Sequence, residues 1–300
     1  MKKIAVGIAI VLGFTLLQPV SAQAANESIV IIDTAIDSTR PEFSGKIVQE
    51  VCLVESGLCP NGKMIQEGIG SATLPASDAY KNGFEHGTLM SLIALQVNPN
   101  VNLIFIRVAG MNPKTKTMYS FSDVSVTRAL DWVIINKDKY NIVSVSASVG
   151  HSSYNKTGNY CPIKATHSKL ISNIEILMTK GIATMFAAGN GRDRSRINFP
   201  ACIPQAVAVG GSNPYSAGET PSLSIFFNTA PEVDFYALGT FMTPVKNSMG
   251  TSASTVALSA YWAKNYKGSY SATYDYLKSV SKSTSNQFIS TNSFVDVLGN

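Results

Sequence analysis

Five short apolar runs, Ser28–Ile32, Val101–Val108, Ile142–Ser146, Ala183–Ala188 and Ala206–Gly210, recur along the chain, each β-branched and bounded by Gly, Asn or Pro. They are largely apolar on successive residues, so both faces of each strand are expected to be covered, which is the pattern of a buried parallel sheet. Helical spacing fills the intervals. Phe121 to Lys137 has apolar residues at that spacing with Ser122 and Asp123 as capping candidates, and Lys169 to Lys180 repeats the design before Gly181 ends it. The alternation predicts an α/β fold in three layers, a mostly parallel central sheet with helices on both faces. Active sites in such sheets form outside the carboxyl ends of the strands. No repeat of fixed period and no linker divides the chain, and the Gly-, Ser- and Ala-rich stretch from Asn61 to Asn82 reads as a loop.

The N-terminus carries Lys2 and Lys3, an apolar stretch from Ile4 to Leu17, and the small residues of Ser21-Ala22-Gln23-Ala24. That is the layout of a secretory signal peptide, expected to be removed after Ala22 or Ala24, so the chain is expected to be secreted or periplasmic. Residues 1–24 are assigned to the signal and 25–300 to one large domain, in keeping with 45% hydrophobic and 14% charged residues. No second apolar stretch follows, so no membrane association is expected after cleavage. The formal charge of +5 includes Lys2 and Lys3, and no dense basic cluster remains beyond them, which argues against nucleic acid as a partner. Four cysteines in an exported chain imply disulfides, with three possible connectivities. Local pairing of Cys52 with Cys59 is the favoured one, leaving Cys161 with Cys202. Zinc is a poor reading, since there is no Cys-x-x-Cys and the three histidines are scattered.

Acyl transfer to a serine needs a hydroxyl, a base to deprotonate it, a carboxylate to orient the base, and donors for the oxyanion. Candidates for all four lie where strands end or helices begin. Asp33 closes the first strand in Ile-Ile-Asp-Thr-Ala-Ile-Asp37, and His86 opens His-Gly-Thr-Leu-Met-Ser at the start of a helix. Asn190 follows a strand in Ala-Ala-Gly-Asn-Gly191, and Ser252 stands in Gly-Thr-Ser-Ala-Ser before a helix of small residues. Singly, each has a plainer role as a turn former or helix cap. Asp37, His151 and His167 fall outside any such motif and read as turn or loop residues, with a cleft-lining role left open for His151. The order Asp, His, Ser excludes a lipase-type elbow, in which the histidine comes last, and no phosphate-binding glycine motif is present.

These motifs, in this order, resemble those of the subtilisin-like serine proteases over nearly the whole chain beyond the signal. The resemblance implies an exported serine endopeptidase working through an acyl-enzyme. In it Asp33 orients the imidazole, His86 acts as general base and then acid, Ser252 is the nucleophile, and Asn190 donates to the oxyanion. It also implies that Ser148, Val149 and Gly150 pair with substrate backbone. Phe199 to Gly210 is similar to the strand beside the family's specificity pocket, and Val233 to Gly239 to the turn that precedes the nucleophile region.

The chain departs from the family pattern in several places. Ala35 stands where glycine is usual, Leu89 where a second histidine is, and Val256 where proline is. Ala253 replaces an oxidisable methionine beside the nucleophile, so activity is expected to resist mild peroxide. The interval from Leu95 to Val101 is too short to cage calcium, and no metal or other cofactor is expected. Few residues separate the signal from the first strand, so a covalent propeptide is not evident: either the chain folds unaided or a folding helper or inhibitor acts in trans, and a protein or peptide substrate is the expected partner. A monomer is expected. Two rival readings use the same residues: a protease-fold protein that only binds peptides or a partner, and an esterase acting on a small acyl substrate. Gly191 places no fixed charge at the pocket rim beside Asn190, although Arg192 is adjacent.

Overall fold

The computed structural model describes residues 26–119, 121–151, 161, 163–215, 219, 221–286 and 289–298. The signal segment lies outside the described residues.

Strand β1, Ser28–Asp33, is buried along its whole length and sits in the middle of a ten-stranded sheet. Its neighbours are β4, Asn102–Arg107, and β5, Ile142–Ala147, both parallel to it. Beyond β4 come β2, Ile47–Leu53, and β3, Ile65–Glu67. Beyond β5 follow β6, Ala183–Ala187, β7, Val207–Ser212, and β8, Phe235–Leu238, all parallel. The antiparallel pair β11, Lys282–Asn286, and β12, Ile289–Phe294, closes that edge. A separate two-stranded ribbon joins β9, Thr240–Phe241, to β10, Ser248–Met249.

Side chains alternate across the sheet, and this divides the core in two. Ile29 and Ile31 of β1 pack with α1, His86–Val97, and α4, Thr251–Lys264. Val30 and Ile32 face α2, Asp123–Asn136, and α3, Ser168–Thr179. Leu277 of α5, Tyr270–Val280, joins the first of these clusters. The sheet is thus mostly parallel with helices on both faces. The helix α4 has no polar stripe, because Ala253, Val256, Ala257, Leu258, Ala260 and Trp262 around its circumference are all buried. Ser122 caps α2, its hydroxyl accepting from the Ser125 N–H at 3.1 Å.

Two local expectations are corrected. The stretch Asn61–Asn82 is not all loop: Ile65–Glu67 pairs antiparallel with Val51–Leu53 and covers the sheet edge. Val233–Gly239 is not a turn either, since Phe235–Leu238 is the buried strand β8 beside β7. Its leading Asp234 is drawn inward because its carboxylate accepts from the Ala208 N–H at 2.8 Å and the Tyr274 hydroxyl at 2.7 Å. The structure bonds Cys52 to Cys59 and Cys161 to Cys202.

β1 has β4 on one side and β5 on the other, so chain connections depart in opposite directions from its carboxyl end. Such a switch point leaves a crevice there, and Asp33 stands at it.

Candidate active site

Asp33, the last residue of β1, is 2% exposed, and its carboxylate meets Nδ1 of His86 at 2.8 Å through Oδ1 and 3.0 Å through Oδ2. His86 is the first residue of α1. Helix and strand are held close by the next residue: a Cβ on Gly87 would lie 2.4 Å from the Ala35 carbonyl and from the Phe105 ring, so only glycine permits this approach. Thr34 adds a clasp, its hydroxyl donating to the Phe84 carbonyl at 3.0 Å and accepting from the Gly87 N–H at 3.2 Å.

The His86 side chain is 34% exposed. Partial burial pushes its pKa down, but the Asp33 carboxylate more than offsets this and the charge of Glu85 adds to the rise, so the imidazole titrates above its ordinary value. Glu85 is in turn engaged by Lys246, whose ammonium donates to its carboxylate. Burial works against the ionised Glu85 carboxyl, yet the Lys246 hydrogen bond outweighs it and holds the carboxyl below its usual range.

Ser252 is the second residue of α4, half-buried among buried neighbours, and its carbonyl accepts from the Ser148 hydroxyl at 3.4 Å. The turn before it depends on Gly250, whose φ of +155° places it in a region that favours glycine. Asn190 follows β6 and reaches this turn: its Oδ1 accepts from the Thr251 N–H at 3.0 Å and from the Thr251 hydroxyl at 3.1 Å. With the oxygen so occupied, the amide nitrogen is the end left to donate. A Cβ at position 250 would come within 3.2 Å of that nitrogen. Asn228 braces the Asn190 loop, its Oδ1 accepting from the N–H groups of Gly191 and Asp193 and its Nδ2 donating to the Ala188 carbonyl.

A cavity of about 430 Å³ opens over Asp33 and His86 and is lined also by Ser148, Val149, Lys246, Ser248 and Met249. Ser148 lines this cavity and donates to the Ser252 backbone, while no hydrogen bond joins His86 to Ser252 among the described residues. Val149 is 3% exposed, and Gly150 lies against Phe199, where a Cβ would meet the carbonyl at 3.2 Å.

The remaining sequence candidates take structural places. Asp37 accepts from the Thr39 and Tyr80 hydroxyls in a turn. His151 and His167 share Asp123, at 3.2 Å from each Nε2, and both rings lie against Phe199. Arg192 turns over the Phe226 ring, 5.2 Å from its centroid. Ala35 packs with Phe84 and Ala109, Leu89 lines the cavity, and Ala253 and Val256 are core residues of α4. Glu85, Lys246, Thr34, Met249 and Asn228 were not singled out from sequence. Glu85 had a signal in standing next to His86, whereas Lys246 is 161 residues from its partner and had none.

The family model described as "Subtilase family" matches residues 24–295. Among curated relatives, the minor extracellular protease Epr of Bacillus subtilis strain 168 is 24% identical over 236 residues, covering 74% of this chain and 32% of that protein. The alkaline serine exoprotease A of Vibrio alginolyticus is 24% identical over 209 residues, covering 70% and 31%. The chain thus spans about a third of the length of the curated relatives it matches. Among solved structures, a cold adapted subtilisin-like serine proteinase superposes with a TM-score of 0.63 at 21% identity, covering 91% of this chain and 89% of that one. A lanthipeptide protease does so at 0.64 and 14% identity, covering 90% and 85%.

Proposed function

Because the chain belongs to the subtilase family, we propose that it is a serine endopeptidase in which Asp33, His86 and Ser252 form the catalytic triad. The observation that carries this reading is the contact of His86 Nδ1 with both oxygens of a buried Asp33. Nδ1–H then donates to the carboxylate, so the unprotonated Nε2 is the nitrogen available as base. His86 takes the proton of Ser252 Oγ as that oxygen bonds to the scissile carbonyl carbon. The carbonyl oxygen becomes an oxyanion, and Asn190 Nδ2, held with its nitrogen outward by Thr251, donates to it. Collapse breaks the C–N bond, His86 returns the proton to the leaving amine, and an ester to Ser252 remains. Water deprotonated by His86 hydrolyses that ester and regenerates the serine.

The substrate is an extended peptide segment pairing along Ser148, Val149 and Gly150. The signal segment 1–24 supports export, residues 25–300 act as one peptidase domain, and a relative named extracellular is in keeping with this. Among the described residues no helix is long and apolar enough to cross a membrane.

Labelling of the intact protein by a fluorophosphonate, with Ser252→Ala as the control, tests the assignment. Label on the parent and none on the variant is expected. A folded parent that takes no label leaves only a peptide-binding role for this cleft.

A further inference from the structure

A second cavity, also of about 430 Å³, lies on the β2–β4 side of the molecule and shares no lining residue with the cleft over His86. Its walls are apolar, with Leu58, Pro60, Leu74 and Met111 among them, and Arg107 is the one charged residue lining it. Arg107 is the last residue of β4 and is 0% exposed. Its Nε donates to the Ala109 carbonyl at 2.9 Å and its Nη1 to the Thr73 carbonyl at 3.1 Å, while its Nη2 is buried without a partner. The Phe84 ring lies 6.0 Å away.

A buried guanidinium ordinarily keeps a carboxylate beside it. Two buried acids lie near it along the sheet: Asp33, in register with Arg107 on β1 but turned to His86 and the Thr34 N–H, and Glu50, two residues before Cys52, which is in register with Arg107 on β2. The Glu50 carboxylate accepts from the Ala72 N–H at 3.0 Å, and among the described residues neither acid forms an ion pair with Arg107. Burial draws the Arg107 pKa down to about 10, so the positive charge remains at neutral pH without a carboxylate in hydrogen-bonding contact.

We propose that this cavity binds a monoanionic carboxylate carrying a short apolar body, the carboxylate pairing with Nη2 of Arg107 and the body lying against Leu58, Leu74 and Met111. The two N–H groups of the unpartnered Nη2, set among apolar walls, suit a carboxylate better than a phosphate, whose additional oxygens would lie against apolar side chains. The Cys52–Cys59 disulfide fixes the rim. It closes the loop that carries Leu58, and Gly57 within that loop packs so closely that a Cβ would lie 2.7 Å from the Met111 backbone. The carboxylate can be that of a free aliphatic acid or of a peptide C-terminus.

Isothermal titration of the intact, oxidised protein with hexanoate, hexanol and hexylamine tests the proposal, and N-acetyl-leucine against N-acetyl-leucinamide separates the two sources. Hexanoate is expected to bind at least tenfold more tightly than hexanol, and hexylamine not at all. N-acetyl-leucine outcompeting hexanoate, with the amide inert, would assign the site to peptide termini; the reverse order would assign it to free acids. Arg107→Met is expected to reduce hexanoate to the level of hexanol. Should that variant fail to fold, Leu58→Glu decides, because it adds a competing carboxylate at a rim position that is 54% exposed, and a loss of tenfold or more is expected. Equal binding of hexanoate and hexanol, absence of binding, or unchanged affinity in Leu58→Glu overturns the proposal.

Discussion

Lys246 spans from the loop between β9 and β10 to Glu85, the residue immediately before His86, so an ion pair sits beside the imidazole at the wall of the cleft. The two charges act on His86 in opposite senses, Glu85 raising its pKa and Lys246 lowering it. The base must be neutral to work, so kcat/KM should rise with pH through an apparent value above that of free histidine. Removing the cation in Lys246→Ala leaves Glu85 uncompensated and should move this acid limb to higher pH. Glu85→Gln should move it to lower pH, and the double variant should return it toward the parent. A pH–rate profile of each variant with a peptide substrate checks the three directions.

Asn190→Ala is expected to lower kcat by about 10²–10³-fold with little change in KM, the signature of a donor used chiefly in the transition state. Thr251 loses its acceptor in the same variant, so Thr251→Val, which keeps Asn190, serves as the comparison. It should cost kcat less, through looser orientation of the amide. Steady-state kinetics on both variants provides the test.

Gly87→Ala should destabilise the protein by about 1–3 kcal/mol, because the new methyl group meets the Ala35 carbonyl and the Phe105 ring at 2.4 Å and one of them must move. His86 is the adjacent residue, so kcat should fall along with stability. Denaturant unfolding and activity measured together distinguish this from a purely local strain, which would leave kcat intact.

The two disulfides should differ in worth. Cys161–Cys202 closes a separation of 41 residues and Cys52–Cys59 one of 7, so by chain entropy their removal costs about 4 and about 2.5 kcal/mol. Paired serine substitutions followed by urea unfolding measure each.

Peroxide should leave most of the activity, since Ala253 beside the serine has no sulfur. Met249 is 62% exposed and lines the cleft, so it is the methionine through which oxidation should reach activity. A loss of a few-fold that Met249→Leu abolishes is expected. Rapid and complete inactivation that persists in Met249→Leu would contradict it.

The runs that predicted β1, β4, β5, β6 and β7 are legible because strands buried on both faces leave no polar alternation to confuse them. β8 was hidden by its acid: Asp234 reads as a turn residue until the Ala208 N–H and the Tyr274 hydroxyl are seen to take its charge inside. Short β3 has two exposed residues of three, and so no hydrophobic signature. Asp33, His86, Asn190 and Ser252 were legible as motifs because each needs a particular turn around it, with Gly87 and Gly250 as fixed markers. The Glu85–Lys246 pair and the lone charge of Arg107 were not, because both depend on contacts between distant segments whose absence or presence no local pattern records.

The placement of Ser252 on α4 has a bearing on how the molecule could ever be turned off. A helix with no solvent-facing stripe is held along its length by the core, and the amide protons of its central turns should exchange with water only when the whole domain opens. Ser252, the proposed nucleophile, and His86 both stand in the first turn of a largely buried helix, so both are tied to the packing of the domain. On the proposed reading, control falls to whatever occupies the mouth of the cleft, and not to movement of the serine.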